Sequence, residues 1–294
     1  MIYCIVVTSN GMIWLERHIA SIRSSSIPLK TIIIDNSSVD GTLEYLNLHF
    51  NEAYVIKSNQ NLGFGKANNL GVKYAIENGA EFVFLLNQDA YLLSDTIEKC
   101  IEEFKISENV ALVSPVHLDG SGKQLDIGFQ RCLTNELCPG FFSDLVLNNR
   151  KNIYPIYSVN AAAWMLKVSV INEIGLFSQA FFHYGEDINF QQRLVYFGYK
   201  SLLVPNAYVL HDRKARNGEK SELGKKIEIK TNQMTILMNI NEPFNKVVKS
   251  VWKYAGLLLF EGKIIKSLEL LLDTYWYRTK YLKWRKEMNG KISL

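Results

Sequence analysis

Residues 82–90, FVFLLNQDA, constrain this chain most, because a solidly apolar run ends there in three polar residues. Phe82, Val83, Phe84, Leu85 and Leu86 read as a strand buried on both faces, as in the middle of a parallel sheet. Ligands of open α/β sheets sit outside the carboxyl ends of the strands, which places Asn87, Gln88 and Asp89 where a small molecule would bind. A carboxylate held at that lip can offer hard oxygen to a divalent cation, and such cations in turn hold phosphates. Equally, Asp89 can start the turn that leads to a helix opened by Asp95 and Thr96.

The rest of the first half repeats the pattern. Strands are expected at residues 2–7, 31–34, 54–57, 82–86 and 110–116, with helices at 14–24, 43–50, 66–78 and 94–107, the last capped by Ser94. Strands alternating with helices of this length argue for a parallel sheet of right-handed crossover units. Residues 117–157 lose the period and read as irregular loops and short strands. Order returns with a strand at 159–167, helices at 169–174 and 188–197, and short strands at 202–204 and 208–210. From Ser221 onward the chain reads as helical, broken at Pro243.

At 294 residues there is room for one large domain with an appendage, or two small ones. The four cysteines show no CxxC spacing and read as reduced thiols of a cytoplasmic protein. The opening MIYCIVVTSNG enters a strand without the basic segment and cleavage site of a secretory leader, and the longest apolar stretch, 254–260, is too short to span a bilayer. Charge is unevenly spread. From Lys246 onward eleven Lys and Arg face four acids, a net +7 that leaves −3 for residues 1–245. No nucleic-acid partner is expected. The basic tail carries Trp252, Tyr254, Phe260, Tyr275, Trp276, Tyr277, Tyr281 and Trp284. That composition suits either peripheral contact with the inner face of a membrane or the packing arm of a homo-oligomer.

Three strand tips converge in such a sheet: Thr8, Ser9 and Asn10; Asp35 to Ser38 with Asp40; and Asn87 to Asp89. Asp35, an acid at the tip of the second strand, is a candidate for a base or ribose. Between the tips lies NLGFGKANNLG at 61–71, where Gly63 and Gly65 let the backbone bend close to a ligand and Lys66 adds charge at a helix start. It matches neither GxxxxGK[ST] nor GxGxxG, so an ATPase loop or dinucleotide fingerprint is not supported. In GED at 185–187, two carboxylates precede a helix whose Phe190, Leu194 and Phe197 would pack inward; they serve either as an acid–base pair or as a helix cap and dipole partner.

Taken together, DNSSVDGT at 35–42, NLGFGKANNLG at 61–71, LNQDA at 86–90 and GEDINFQQRLVYFGY at 185–199 resemble, in order and spacing over residues 1–215, the motifs of family 2 glycosyltransferases, specifically the bacterial rhamnosyltransferase-like branch. The resemblance implies an α/β GT-A fold, a Rossmann-like mixed sheet flanked by helices. Residues 1–116 would form its nucleotide-sugar half, 117–215 its acceptor half and 216–294 a helical C-terminal appendage. It implies an inverting, metal-dependent transfer of one sugar from a nucleotide-diphosphate donor, foremost L-rhamnose from dTDP-L-rhamnose, onto a surface polysaccharide or lipid-linked glycan acceptor. Galactofuranose, N-acetylglucosamine or glucose from a UDP or GDP donor is the alternative. A non-catalytic nucleotide-sugar or glycan-binding protein of the same fold is the rival class.

By the same resemblance Thr8, Asn10, Asp35, Ser37, Asp40, Asn61, Gly63, Phe64, Gly65, Asn69, Asn87 and Gln88 would contact the donor. Asp89 and His211 would hold a divalent metal, Mg or Mn, and Asp187, beside Glu186, would be the general base. Asn87 stands where the DXD metal motif expects its first Asp, leaving Asp89 as the anionic ligand there. Gln191, Gln192 and Arg193 are present without the RW pair of processive relatives, which points to transfer of one sugar per encounter.

Overall fold

The computed structural model describes residues 1–182, 184–213, 222–290 and 292, with side chains left undescribed over 222–227. Among them nine strands form one sheet: β1 (Ile2–Thr8), β2 (Lys30–Asn36), β3 (Tyr54–Ser58), β4 (Phe82–Asn87), β5 (Ala90–Leu92), β6 (Val110–Asp119), β7 (Tyr154–Pro155), β8 (Ala163–Lys167) and β9 (Lys200–His211). The spatial order is β3-β2-β1-β4-β8-β6-β9-β5, with β7 also on β9. Helices α1 (Met12–Arg23), α2 (Thr42–His49), α3 (Phe64–Glu77) and α4 (Thr96–Glu102) connect the first strands. Helices α5 (Ile127–Gln130), α6 (Phe141–Val146), α7 (Val168–Ile174) and α8 (Glu186–Tyr196) follow in the second half. The chain closes with α9 (Glu222–Leu237), α10 (Phe244–Phe260), α11 (Ile264–Trp276) and α12 (Arg278–Met288).

Strand β4 is buried on both faces, as its composition demands. Val83 and Leu85 join the core under α3 with Ile5, Ile34 and Trp164, while Phe84 and Leu86 join the opposite core with Val6, Ile19 and Met165. Close packing on both sides fixes the strand, so its polar tip emerges at a rigid edge. A third core, built on Leu237, Val251, Leu258, Leu270 and Tyr281, holds the C-terminal helices together. All four cysteines are free thiols.

The sheet is mixed, as the family resemblance implied, where the alternation of elements alone argued for a parallel one. Strands β3, β2, β1 and β4 run parallel, but β8 runs antiparallel to both β4 and β6. A run buried on both faces has the same composition in either direction, so its residues carry no sign of the reversal. Residues 202–204 and 208–210 belong to one strand, β9, because the register against β6 jumps from Pro115–Val204 to Val116–Tyr208 and a bulge absorbs Pro205, Asn206 and Ala207. Within 117–157 the structure places two short helices, α5 and α6, beside the short strand β7. The helix at 94–107 starts at Thr96 after Asp95, so Ser94 is not its cap, and its last turn is a 3-10 segment, Glu103–Lys105. The expected boundary at 215/216 and the helix start at Ser221 lie outside the described residues.

Helix α8 is held by a buried cation. The Arg193 side chain is fully inaccessible, and its guanidinium donates to the carbonyls of Ile174 at 2.7 Å, Gly175 at 3.4 Å and Leu176. Those carbonyls end α7, where the helix dipole is negative and the last C=O groups lack intrahelical donors. Burial lowers the guanidinium pKa to about 9, so it stays charged at neutral pH. Arg193→Met removes the cost of a buried charge but strands several carbonyls at once, and the second effect outweighs the first. We expect a loss of roughly 2–4 kcal/mol of stability, measured by urea denaturation.

Candidate functional site

The polar tips of β1, β2 and β4 are cross-linked before any ligand arrives. Gln88 Oε1 accepts from Thr8 Oγ1 at 2.8 Å and the Ser9 amide at 2.9 Å, and Gln88 Nε2 donates to the Ser9 carbonyl. Asn36 Nδ2 donates to Asn61 Oδ1 at 3.0 Å, and Asn36 Oδ1 accepts from the Leu62 amide at 2.7 Å. Asn61 Oδ1 also accepts from the Gly63 amide, which shapes the turn into α3.

Across from these tips stands the start of α8. Gly185 is its N-cap with φ +86°, and a Cβ there would meet the side chains of Thr235 and Thr231 within 2.8 Å, so only glycine fits. Glu186 and Asp187 therefore open the first turn, and neither is the cap. Gln191 exchanges two hydrogen bonds with the Val159 backbone, at 2.8 and 2.9 Å, and fastens the segment that carries Asn160 and Ala161 against the helix.

A cavity of about 410 Å³ lies between the two walls. Asn61, Phe64, Asn87 and Gln88 line one side together with Ser9 and Asn36; Glu186 and Asp187 line the other. The remaining expected residues sit elsewhere. Thr8, Asp35 and Asn69 are buried and outside the lining; Asn69 uses its amide on the Phe177 backbone, and Asp35 Oδ2 faces the Ser38 amide at 3.4 Å. Asn10, Ser37 and Asp40 lie outside it too, and Asp40 accepts from Met12 N and from the amide and hydroxyl of Thr42. Gly63 and Gly65 shape the α3 turn without lining the space. A Cβ at Gly65 would come within 3.1 Å of Phe177 and 3.6 Å of Glu186, so its bare backbone lets α3 close on the opposite wall.

Arg131, Asn160, Tyr184 and Arg213 also line the cavity, and none of them was expected from the sequence. Arg213 follows His211 by two residues, and its Nε donates to the buried Asp126 carboxylate at 2.6 Å. Asn160 lies in a stretch expected to be strand. Tyr184 holds φ +65°, a conformation that bulky residues rarely adopt.

Asp89 and His211 are buried together outside the cavity lining, with Asp89 Oδ1 3.4 Å from His211 Nε2 and Asp126 Oδ2 3.8 Å from His211 Nδ1. Among the described residues both ring nitrogens of His211 lack a hydrogen bond, and no group of three or more His, Cys, Asp or Glu is arranged to hold a metal ion. A carboxylate oxygen and an imidazole nitrogen this close can share one ion that takes its other ligands from phosphate and water, the habit of Mg²⁺ in phosphate sites. By themselves Asp89 and His211 supply two candidate ligands and no complete ion site among the described residues.

The two carboxyl groups of α8 differ. Glu186 is almost wholly buried and its Oε2 has no hydrogen-bond partner among the described residues. Desolvation first, and the neighbouring Asp187 charge second, push its pKa up to about 8. Asp187 is half-buried; desolvation raises its pKa, while the amides of Ile188 and Ala161 work against that rise. Burial thus biases Glu186 toward its protonated form at neutral pH, while the backbone amides favour the charged form of Asp187.

Residues 3–160 match the family described as Glycosyl transferase family 2. The chain is 25% identical over 163 residues to the low-salt glycan biosynthesis hexosyltransferase Agl10 of Haloferax volcanii, covering 55% of this chain and 52% of that protein. It is 27% identical over 119 residues to the dTDP-rhamnosyl transferase RfbF of Shigella flexneri, covering 40% and 39%. Against the N-acetylglucosaminyl-diphospho-decaprenol L-rhamnosyltransferase of Mycobacterium tuberculosis it is 21% identical over 225 residues, covering 69% and 73%. The match thus spans about half the length of Agl10 and two fifths of RfbF. The fold is similar to that of S. aureus TarS 1-349 in complex with UDP, with TM-score 0.57, 17% identity, and 84% and 68% of the chains covered. It is also similar to GalNAc-T7 with UDP, GalNAc and Mn2+, with TM-score 0.58, 15% identity, and 83% and 52% covered.

Glu186 makes stability depend on pH. Below its ordinary value of 4.5 both folded and unfolded forms are protonated; between 4.5 and about 8 the unfolded chain loses this proton while the fold retains it, so stability falls as pH rises. Above about 8 the penalty is complete. Glu186→Gln should leave Tm unchanged at pH ~4 and raise it by about 5 °C at pH ~8.5, which calorimetry at the two pH values reads directly.

Proposed function

This chain belongs to glycosyl transferase family 2, and from that premise we propose that it transfers one sugar per encounter, with inversion, from dTDP-L-rhamnose onto a surface polysaccharide or a lipid-linked glycan. One observation carries the reading. Asp187, a half-buried carboxylate, faces the polar tips of three parallel strands across a single cavity, the place where a ligand of this sheet class binds.

In the proposed reaction the Asp187 carboxylate takes the proton of an acceptor hydroxyl. The hydroxyl oxygen then forms its bond to the anomeric carbon as the bond to the nucleoside diphosphate breaks on the opposite face. Glu186 remains protonated and neutral, so it adds no charge beside the base. Asn160, Asn61 and Asn87 offer amide groups to sugar and nucleotide hydroxyls. Asp89 and His211 would hold a divalent ion, whose contribution is to neutralise the departing diphosphate. Arg131 and Arg213, the latter paired with Asp126, line the cavity itself and offer donors to a diphosphate. The rhamnose assignment draws on the names of two relatives; a UDP-sugar donor is the second reading, favoured by the UDP in the TarS complex.

Transfer assays across a panel of dTDP-, UDP- and GDP-sugars, each with and without chelator, test the donor and the ion together. We expect turnover with dTDP-L-rhamnose that chelator suppresses; turnover confined to another donor overturns the rhamnose assignment. Asp187→Asn should lower kcat by about a thousandfold and leave dTDP affinity within roughly threefold, the signature of a lost base. Asp89→Ala should weaken both. Full turnover by Asp187→Asn removes the base from the scheme.

A further inference from the structure

Helix α11 is built inside out. The residues it turns toward the C-terminal core are Ser267, Leu270 and Thr274, two of them hydroxylated, with Ser267 Oγ donating to the Ala255 carbonyl and Thr274 Oγ1 accepting from Gln233. Its outward stripe is the more apolar one. Ile265 is 74% exposed, Leu268 52%, Leu272 57% and Trp276 72%, at the spacing that puts them on one helix face. A helix folded for water alone would reverse that arrangement.

The neighbouring helix extends the surface. On α10, Trp252, Leu259 and Phe260 are exposed, and an apolar groove of about 870 Å³ runs between Trp252, Gly256 and Leu259 on one side and Leu271 and Tyr275 on the other. Lys249 and Arg278 also line the groove, and Lys253 and Lys263 are exposed on the same two-helix unit. Of the four acids beyond residue 245, Glu261 is paired with Lys263, Asp273 with Lys230 and Glu287 with Lys283, while Glu269 is exposed on α11 beside the apolar stripe. No helix among the described residues is long and apolar enough to cross a membrane.

We infer that the outward face of α10 and α11 docks the protein on an anionic lipid bilayer, with the helices lying in its surface. An exposed apolar stripe with interfacial Trp and Tyr, flanked by Lys and Arg, is the composition of an in-plane membrane helix. The sign of the charge selects lipid over a second copy of this chain. Symmetric pairing through this face would set Lys249, Lys253 and Arg278 of one copy against those of another, whereas an anionic leaflet complements them. This docking is independent of the donor and of the chemistry at Asp187.

Flotation of the full chain with phosphatidylglycerol vesicles and with phosphatidylcholine vesicles tests it, with light scattering to read the oligomeric state without lipid. The expected result is binding to phosphatidylglycerol that falls about tenfold in phosphatidylcholine or in molar salt. The double substitution Leu268→Glu, Leu272→Glu lies on exposed positions, so circular dichroism and dTDP binding should match the parent while vesicle binding falls about tenfold. The inference is overturned if the parent does not float with phosphatidylglycerol or if the double variant floats equally well. It is also overturned if the parent is a dimer that the double variant dissociates.

Discussion

A pair of hydrogen bonds joins α3 to the segment before α8 where the cavity forms. The Asn69 side chain, buried on α3, donates to the Phe177 carbonyl at 2.8 Å and accepts from the Phe177 amide at 3.1 Å. Phe177 belongs to the segment that leads into α8. An amide group buried at that junction without its partners would cost about 1–3 kcal/mol for each bond left unmade, so the junction is strongly selected over a splayed alternative. Gly65 completes it, because the missing side chain lets Phe177 and Glu186 come against α3. The spacing between the strand-tip wall and the carboxylate wall is thereby set by short contacts.

The helix carrying the carboxylates is anchored at successive levels. Gln191 binds the Val159 backbone, Gln192 reaches the Thr235 carbonyl and Arg193 closes the end of α7. A run that resembles a processivity signature by its letters thus serves here as three consecutive fasteners. The stiffness has an electrostatic consequence. A carboxyl group such as Glu186 stays neutral near pH ~7 because packing prevents water from reaching it, and a looser helix would let it ionise beside Asp187.

Much of this was legible in the residues. The apolar run of β4 and its polar tip marked one cavity wall by local patterning, whereas GED alone read equally as a helix cap and pointed to the opposite wall only through the family resemblance. Strand direction was not legible for β8, since burial on both faces removes the alternation that would distinguish orientations. Residues 202–204 and 208–210 read as two strands where a bulge over Pro205, Asn206 and Ala207 carries one. The roles of Asn69 and Asn160 were hidden for a different reason. Asn in a glycine-rich turn or near a strand has the same letter whether its amide meets backbone or solvent, and only tertiary placement decides. Arg213 was within reach, two positions beyond a histidine already singled out, but its pairing with Asp126 spans 87 residues.

Residues near 290 return to α8. Ile292 N donates to the Ile174 carbonyl that Arg193 also binds, and Met288 Sδ accepts from Asn189 on α8. Gln192 ties the same helix to the last turn of α9, and Asn241, in the linker before α10, donates to the Gln192 carbonyl. The last helices are therefore a buttress of α8 and of the candidate site, continuous with them in packing. Shortening the polypeptide from its carboxyl end, or fusing a bulky reporter there, would disturb Asp187 from behind, and a dead truncation would say nothing about where the protein resides in the cell.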